Sequence, residues 1–190
     1  MTRLIHLNGP PGIGKSTLAA LYVERHPGVL NLDIDSLHRL VGGWREDPRT
    51  HDILRPVAFA MAEAHLRGGR DVIVPQFRAR VEEIEAFEAV AGRAGAEFRE
   101  VVLLADRPEA VARFERRTDD TEWNRHNRDL VAGMGGAAFL EGMYDQLLRA
   151  LASRPEAIVV RSEPGEVEGT YDALVRALNP DAAQDPPTLA

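Results

Sequence analysis

Short apolar runs alternate with longer segments of helical periodicity along most of the chain. The runs at 3–8 (R-L-I-H-L-N), 29–33 (V-L-N-L-D), 71–75 (D-V-I-V-P), 98–105 (F-R-E-V-V-L-L-A) and 157–160 (A-I-V-V) predict five strands. Between them, 16–25 puts Leu18, Leu21 and Tyr22 at helical spacing. Segment 52–67 sets Ile53, Leu54, Val57, Met61 and Leu66 on one side and stops at Gly68-Gly69, and 81–94 repeats the pattern. Segment 108–117 opens with a proline where a helix tolerates one, and 139–151 and 167–178 complete the helices. Strands and helices in alternation predict an α/β three-layer sandwich, a five-stranded parallel sheet covered on both faces.

Two stretches break the pattern. Thr118 to Arg128 is charged and poor in apolar residues, and predicts a mobile flap at about 118–130. Residues 181–190, with Pro186-Pro187 and no periodic apolar face, predict a disordered tail, which leaves 1–180 as a single domain. A net charge of −7 counts against general binding to nucleic acid or to a membrane surface, both of which rely on summed positive charge. The absence of cysteine excludes disulfides and thiolate metal sites and fits a reducing compartment. The first apolar stretch is interrupted by His6 and no run approaches membrane-spanning length, so a cytoplasmic location is expected. The histidines show no metal-ligand clustering.

The chemistry concentrates at Gly9-Pro10-Pro11-Gly12-Ile13-Gly14-Lys15-Ser16, followed by Thr17. The octapeptide fits G-x-x-x-x-G-K-[ST], a loop whose backbone N–H groups cradle nucleotide phosphates while the lysine reaches them and the hydroxyl holds Mg²⁺. Lys15 is the only lysine among 23 basic residues. A compact ammonium on a thin stem fits inside a ring of amides where a planar guanidinium fork does not. The flanking strand and helix supply the context the motif requires, so ATP and Mg²⁺ are the expected cofactors.

The second strand ends at Asp33-Ile34-Asp35, where ligands of such sheets gather. Residues two apart at a strand end point the same way, so both carboxylates can face the nucleotide; an aspartate there also serves as a helix N-cap. With Gly9 to Thr17, Asp33 and Asp35, Ser36-Leu37-His38 and the arginine-bearing segment after the fourth strand, the chain resembles the P-loop small-molecule kinases of the shikimate kinase, gluconate kinase and chloramphenicol phosphotransferase type. The resemblance implies a P-loop NTPase fold of the nucleoside-monophosphate-kinase kind, with Asp33 assisting Ser16 in the metal shell and Asp35 meeting the acceptor hydroxyl as substrate ligand and base. One departure is Gln76, after the third strand, where many P-loop proteins carry a metal-side aspartate; it either binds substrate, orients a metal-bound water, or is a plain loop residue.

Arg113, Arg116, Arg117, Arg125 and Arg128 fall close together. Guanidinium groups on a closing flap stabilise the charge that spreads over a transferring phosphoryl group; the alternative is a solvated face balanced by the neighbouring acids. Arg113, Arg117 and Arg125 are the catalytic candidates. Trp44 and Arg45 after Gly42-Gly43 either line an acceptor pocket or anchor the loop. The reading that follows is a kinase moving the γ-phosphate of ATP to a hydroxyl of a small molecule: an antibiotic, a sugar acid or a nucleoside. The rivals are a 5′-hydroxyl nucleic-acid kinase, which needs a basic channel that the charge of −7 does not suggest, and a non-catalytic nucleotide-dependent switch.

Overall fold

The computed structural model describes residues 1–47, 49–117 and 121–180. The predicted tail at 181–190 and the first residues of the predicted flap, 118–120, lie outside the described residues. Strands β1 (Arg3–Asn8), β2 (Leu30–Asn31), β3 (Val72–Val74), β4 (Glu97–Leu104) and β5 (Ile158–Arg161) form one sheet, every pair parallel, in the order β2-β3-β1-β4-β5. The chain steps to one side of β1 for β2 and β3 and to the other for β4 and β5. A crevice therefore opens at the carboxyl end of β1, where crossovers diverge.

The pleat sorts side chains with a period of two. Ile5 and Leu7 of β1 face α1 (Lys15–Arg25) and α8 (Val167–Leu178), where they pack with Tyr22, Leu103 and Leu174. Leu4 faces α3 (Thr50–Arg67) and α4 (Val81–Arg93), beside Leu54, Val72 and Phe87. His6 points to the same side, fully buried and stacked 5.2 Å from Phe87. Burial pushes its imidazole down to about 3, so it sits in the core as a neutral ring bonded to the Gln76 carbonyl.

Three expectations change. In α3 the buried stripe is Leu54, Ala58, Ala62 and Leu66, while Ile53, Val57 and Met61 are 49%, 47% and 38% exposed. Spacing by four with alanine in the middle lets the helix lie close to the sheet, so the bulkier residues one step round are turned outward. The second strand stops at Asn31. Leu32 still donates to the Ile73 carbonyl (2.8 Å), but Asp33 then caps α2 (Ile34–Leu37), so the two aspartates stand beyond the strand. The flap is helical from Glu122: Thr121 accepts from the Asn124 N–H (3.2 Å) and starts α6 (Glu122–Gly133). With α5 (Arg107–Glu115) and α7 (Ala137–Ala152), α6 builds an arm on its own small cluster of Phe114, Val131 and Leu140.

Candidate functional site

The loop after β1 is held from below. Ile13 is buried in the core, and Gly9 and Gly12 have φ of +142° and +81°. A Cβ on Gly9 would stand 2.6 Å from the Leu103 carbonyl oxygen, and one on Gly12 2.7 Å from the Phe114 nitrogen, so both positions require glycine for conformation and for space. Helix α1 follows at once with Gly14 as N-cap and no side-chain cap, which leaves its first-turn N–H groups directed at the crevice. Lys15 Nζ donates to the Gly9 and Pro10 carbonyls (2.8 and 3.0 Å). Burial pulls its ammonium down to about 8 against the opposing field of Asp35.

A cleft of about 880 Å³ runs from this loop across the ends of β2 and β3 to the arm. It brings together Pro11, Gly12, Gly14, Lys15, Ser16 and Thr17 with Asp33, Asp35, Gln76 and Arg117. Gly9, Pro10 and Ile13 shape the loop from beneath. Asp33 takes the capping role, its Oδ1 accepting from the Asp35 N–H (3.1 Å). Burial and then the charge of Asp35 push the Asp33 carboxyl up, while bonds from the Asp35 and Ser36 amides and the Ser16 hydroxyl oppose the rise. Asp35 accepts from Gln76 Nε2 (3.1 Å), and Gln76 is 7% exposed.

Other predicted residues lie elsewhere. Arg113 turns away from the cleft: it donates to Glu109 (2.9 Å), to the Ser162 hydroxyl (2.9 Å) and to the Ser162 carbonyl (2.8 Å). There it lines a second hollow of about 390 Å³ that shares Gly12, Gly14, Thr17 and Arg116 with the cleft and is closed by residues 162–165. Arg125 is exposed on α6 and does not line the cleft. Trp44 and Arg45 do not line it either. Arg45 pairs with Glu122 and lies 5.2 Å from the Trp44 ring, and Trp44 meets Trp123 at 5.5 Å, so this loop clasps α6 from outside. Trp123 takes the lining position instead.

Several site residues have no local signature in the sequence. Asn8 is fully buried: its Oδ1 accepts from the Gly9 N–H (2.8 Å) and the Arg78 N–H (3.0 Å), and its Nδ2 donates to the Arg78 carbonyl (2.8 Å). A polar residue ending an apolar strand beside the loop was the available hint. Arg78, His51 and Arg39 line the cleft near Asp35, while Phe139 and Met143 of α7 line it from the arm. They come from segments that only the fold brings together.

The model of the AAA domain family matches residues 4–132, which include the loop, both aspartates, Gln76 and most of α6. The chain belongs to that family. Among solved structures it is similar to the Deinococcus radiodurans tunicamycin resistance protein (TM-score 0.58, 17% identity, 93% of this chain and 95% of that one). It is also similar to a protein of Chloroflexus aurantiacus assigned as a kinase (TM-score 0.61, 17% identity, 93% and 96%). A chain of the Pnkp1/Rnl/Hen1 RNA repair complex matches with a TM-score of 0.57 at 18% identity over 80% of this chain and 46% of that one. No curated protein matches in sequence. At these identities the likeness is one of fold, and that fold is the P-loop kinase-like one.

Proposed function

We propose that this member of the AAA domain family is an ATP-dependent phosphotransferase that moves the γ-phosphate to a hydroxyl of a small molecule. The observation that carries the reading is one cleft with Lys15 and Ser16 at one end and Asp35 beyond them, Asp33 standing beside Ser16. The nucleoside fits the hollow on the far side of the loop, because it shares Gly12, Gly14 and Thr17 with the cleft and Arg113 and Ser162 form its wall.

The donor set beside the loop suits Mg²⁺. Ser16 and Asp33 offer hard oxygen ligands, and the Asp33 carboxyl, strained upward by burial and by Asp35, gains from a cation next to it. Held by Ser16 and Asp33, such an ion would supply positive charge to neutralise the phosphate oxygens. Lys15 meets the same oxygens, and Arg116 and Arg117, on the cleft wall at the start of the arm, add positive charge around them. Asp35, aimed by Gln76, accepts the proton of the acceptor hydroxyl as its oxygen attacks phosphorus and the bond to ADP breaks. No described helix is long and apolar enough to cross a membrane, and the lack of cysteine suits work in a reducing cytoplasm.

ADP release measured with Mg-ATP against a panel of hydroxyl compounds, with product mass, tests the reading. An acceptor whose mass rises by one phosphoryl group supports it. Saturable nucleotide binding without acceptor-dependent turnover on any compound would favour a nucleotide-dependent switch.

A further inference from the structure

Among the described residues, Lys15, Arg39, Arg78, Arg116 and Arg117 line the cleft with the carboxylates Asp33 and Asp35, in a chain of net charge −7; Arg116 also pairs with Glu109 (3.0 Å). The phosphates of a nucleotide account for Lys15, Arg116 and Arg117, which sit on or above the loop. Arg78 and Arg39 remain, at the acceptor end.

Arg78 is the more telling of the two. It is 8% exposed, yet among the described residues the one carboxylate within 4.0 Å of it is Glu83, at 3.9 Å from Nε. That carboxylate is shared, since Arg55 (3.4 Å) and Arg80 also pair with it. The Arg78 Nη atoms donate to neutral partners, the Phe77 carbonyl (2.9 Å) and His51 Nε2 (3.2 Å). Accepting at Nε2 requires an uncharged imidazole, and burial together with Arg78 does lower the His51 pKa. A buried guanidinium has five donors, and a neutral pair of partners leaves both charge and donors over. Its backbone is fixed by Asn8, so the group is held in place at the cleft wall. Arg39, exposed at the rim, makes no ion pair among the described residues.

Resting on the phosphotransferase reading, we propose that the acceptor is itself an anion, its carboxylate or phosphate monoester gripped by Arg78 with Arg39 at the rim while its hydroxyl lies at Asp35. The opposite wall sets Trp123, Phe139 and Met143 among Asn124 and Asn127, so the group between hydroxyl and anion meets both carbon surface and amide groups on the arm.

The test keeps the loop occupied. Wild-type protein saturated with Mg²⁺ and a non-hydrolysable ATP analogue is titrated with inorganic phosphate and, separately, with acetate. The chain's two tryptophans, Trp44 and Trp123, lie against each other beside the cleft and report by fluorescence. Saturable binding of one anion at millimolar concentration is expected, weakened tenfold or more in Arg78→Gln and by only a few-fold in Arg78→Lys, with analogue affinity unchanged. The stronger arm says whether phosphate or carboxylate is preferred. No saturable signal with either anion in the wild type, or equal binding in Arg78→Gln, overturns the proposal. The titration involves no turnover, so it fails or succeeds independently of ADP release.

Discussion

The two ends of the cleft are built by different means. At the phosphate end the groups come from nine consecutive residues, Gly9 to Thr17, and the binding surface is largely backbone, set by glycine conformations and a helix start. At the end proposed for the acceptor the groups are side chains from five separate segments: Asp35 after β2, His51 in α3, Gln76 and Arg78 after β3, Trp123 in α6 and Met143 in α7. A backbone cradle can be carried whole by a short motif and recognises what all nucleotides share. An assembly of distant side chains can be retuned one residue at a time, which is how one fold serves many acceptors. Asn8 is where the two ends are tied, bonding the first loop amide and both backbone groups of Arg78.

Breaking the phosphate end should have the largest effect. Lys15→Ala is expected to lower kcat/KM by about 10³-fold or more, and Lys15→Arg nearly as much, because a fork does not fit the ring of amides. Steady-state ADP release checks both, and turnover within a few-fold of wild type in the arginine variant would contradict the shape argument. The same site should show a stability effect of opposite sign. With the lysine near 8 in the fold and near 10.5 unfolded, the native state binds fewer protons between these values, so stability rises with pH there. Lys15→Met, which removes the buried charge, should therefore stabilise the protein by up to about 3 kcal/mol at pH 7, and the gain should vanish above about pH 10. Urea unfolding at the two pH values decides it.

Cutting the tie comes next. Asn8→Leu leaves the Gly9 and Arg78 groups buried without partners and should cost about 2–4 kcal/mol in urea unfolding. It should weaken nucleotide and acceptor binding together, and a variant that lost only one would separate the ends. At the acceptor end alone, Trp123→Ala should raise acceptor KM by about tenfold with Mg-ATP affinity unchanged, as one wall residue among several does. Smallest is Thr121→Ala, which removes the α6 cap and should cost about 1 kcal/mol, read as faster amide exchange confined to α6.

The legibility of the site follows the same division. The loop, the five strands and most helix spans could be read because their signals are local in sequence: a motif, a period, a glycine stop. Asp33 and Asp35 were visible through their position after β2, although the cap fell to Asp33. The stripe of α3 was misread because spacing alone does not reveal that Ala58 and Ala62 lie against the sheet while Ile53 and Val57 turn away. The helix within the predicted flap has little local signature because α6 buries little more than Asn124 and Val131; its start is a cap and its support is another helix. Arg113 sat in a cluster of arginines, and nothing local distinguishes one bound to Ser162 from one on the cleft. Arg78 and His51 are 27 residues apart and meet only in three dimensions.

The central claim is that ATP is bound at one end of the cleft and a hydroxyl is activated at the other, by Asp35. Asp35→Asn keeps the shape of the side chain and removes the charge that takes the proton. With an acceptor from the panel in hand, the direct measurement is the affinity of this variant for Mg-ATP beside its acceptor-dependent turnover. The account predicts affinity within a few-fold of wild type and kcat lower by about 10²-fold or more. Near-normal turnover in Asp35→Asn would contradict it, and so would a loss of ATP affinity that matches the loss of rate.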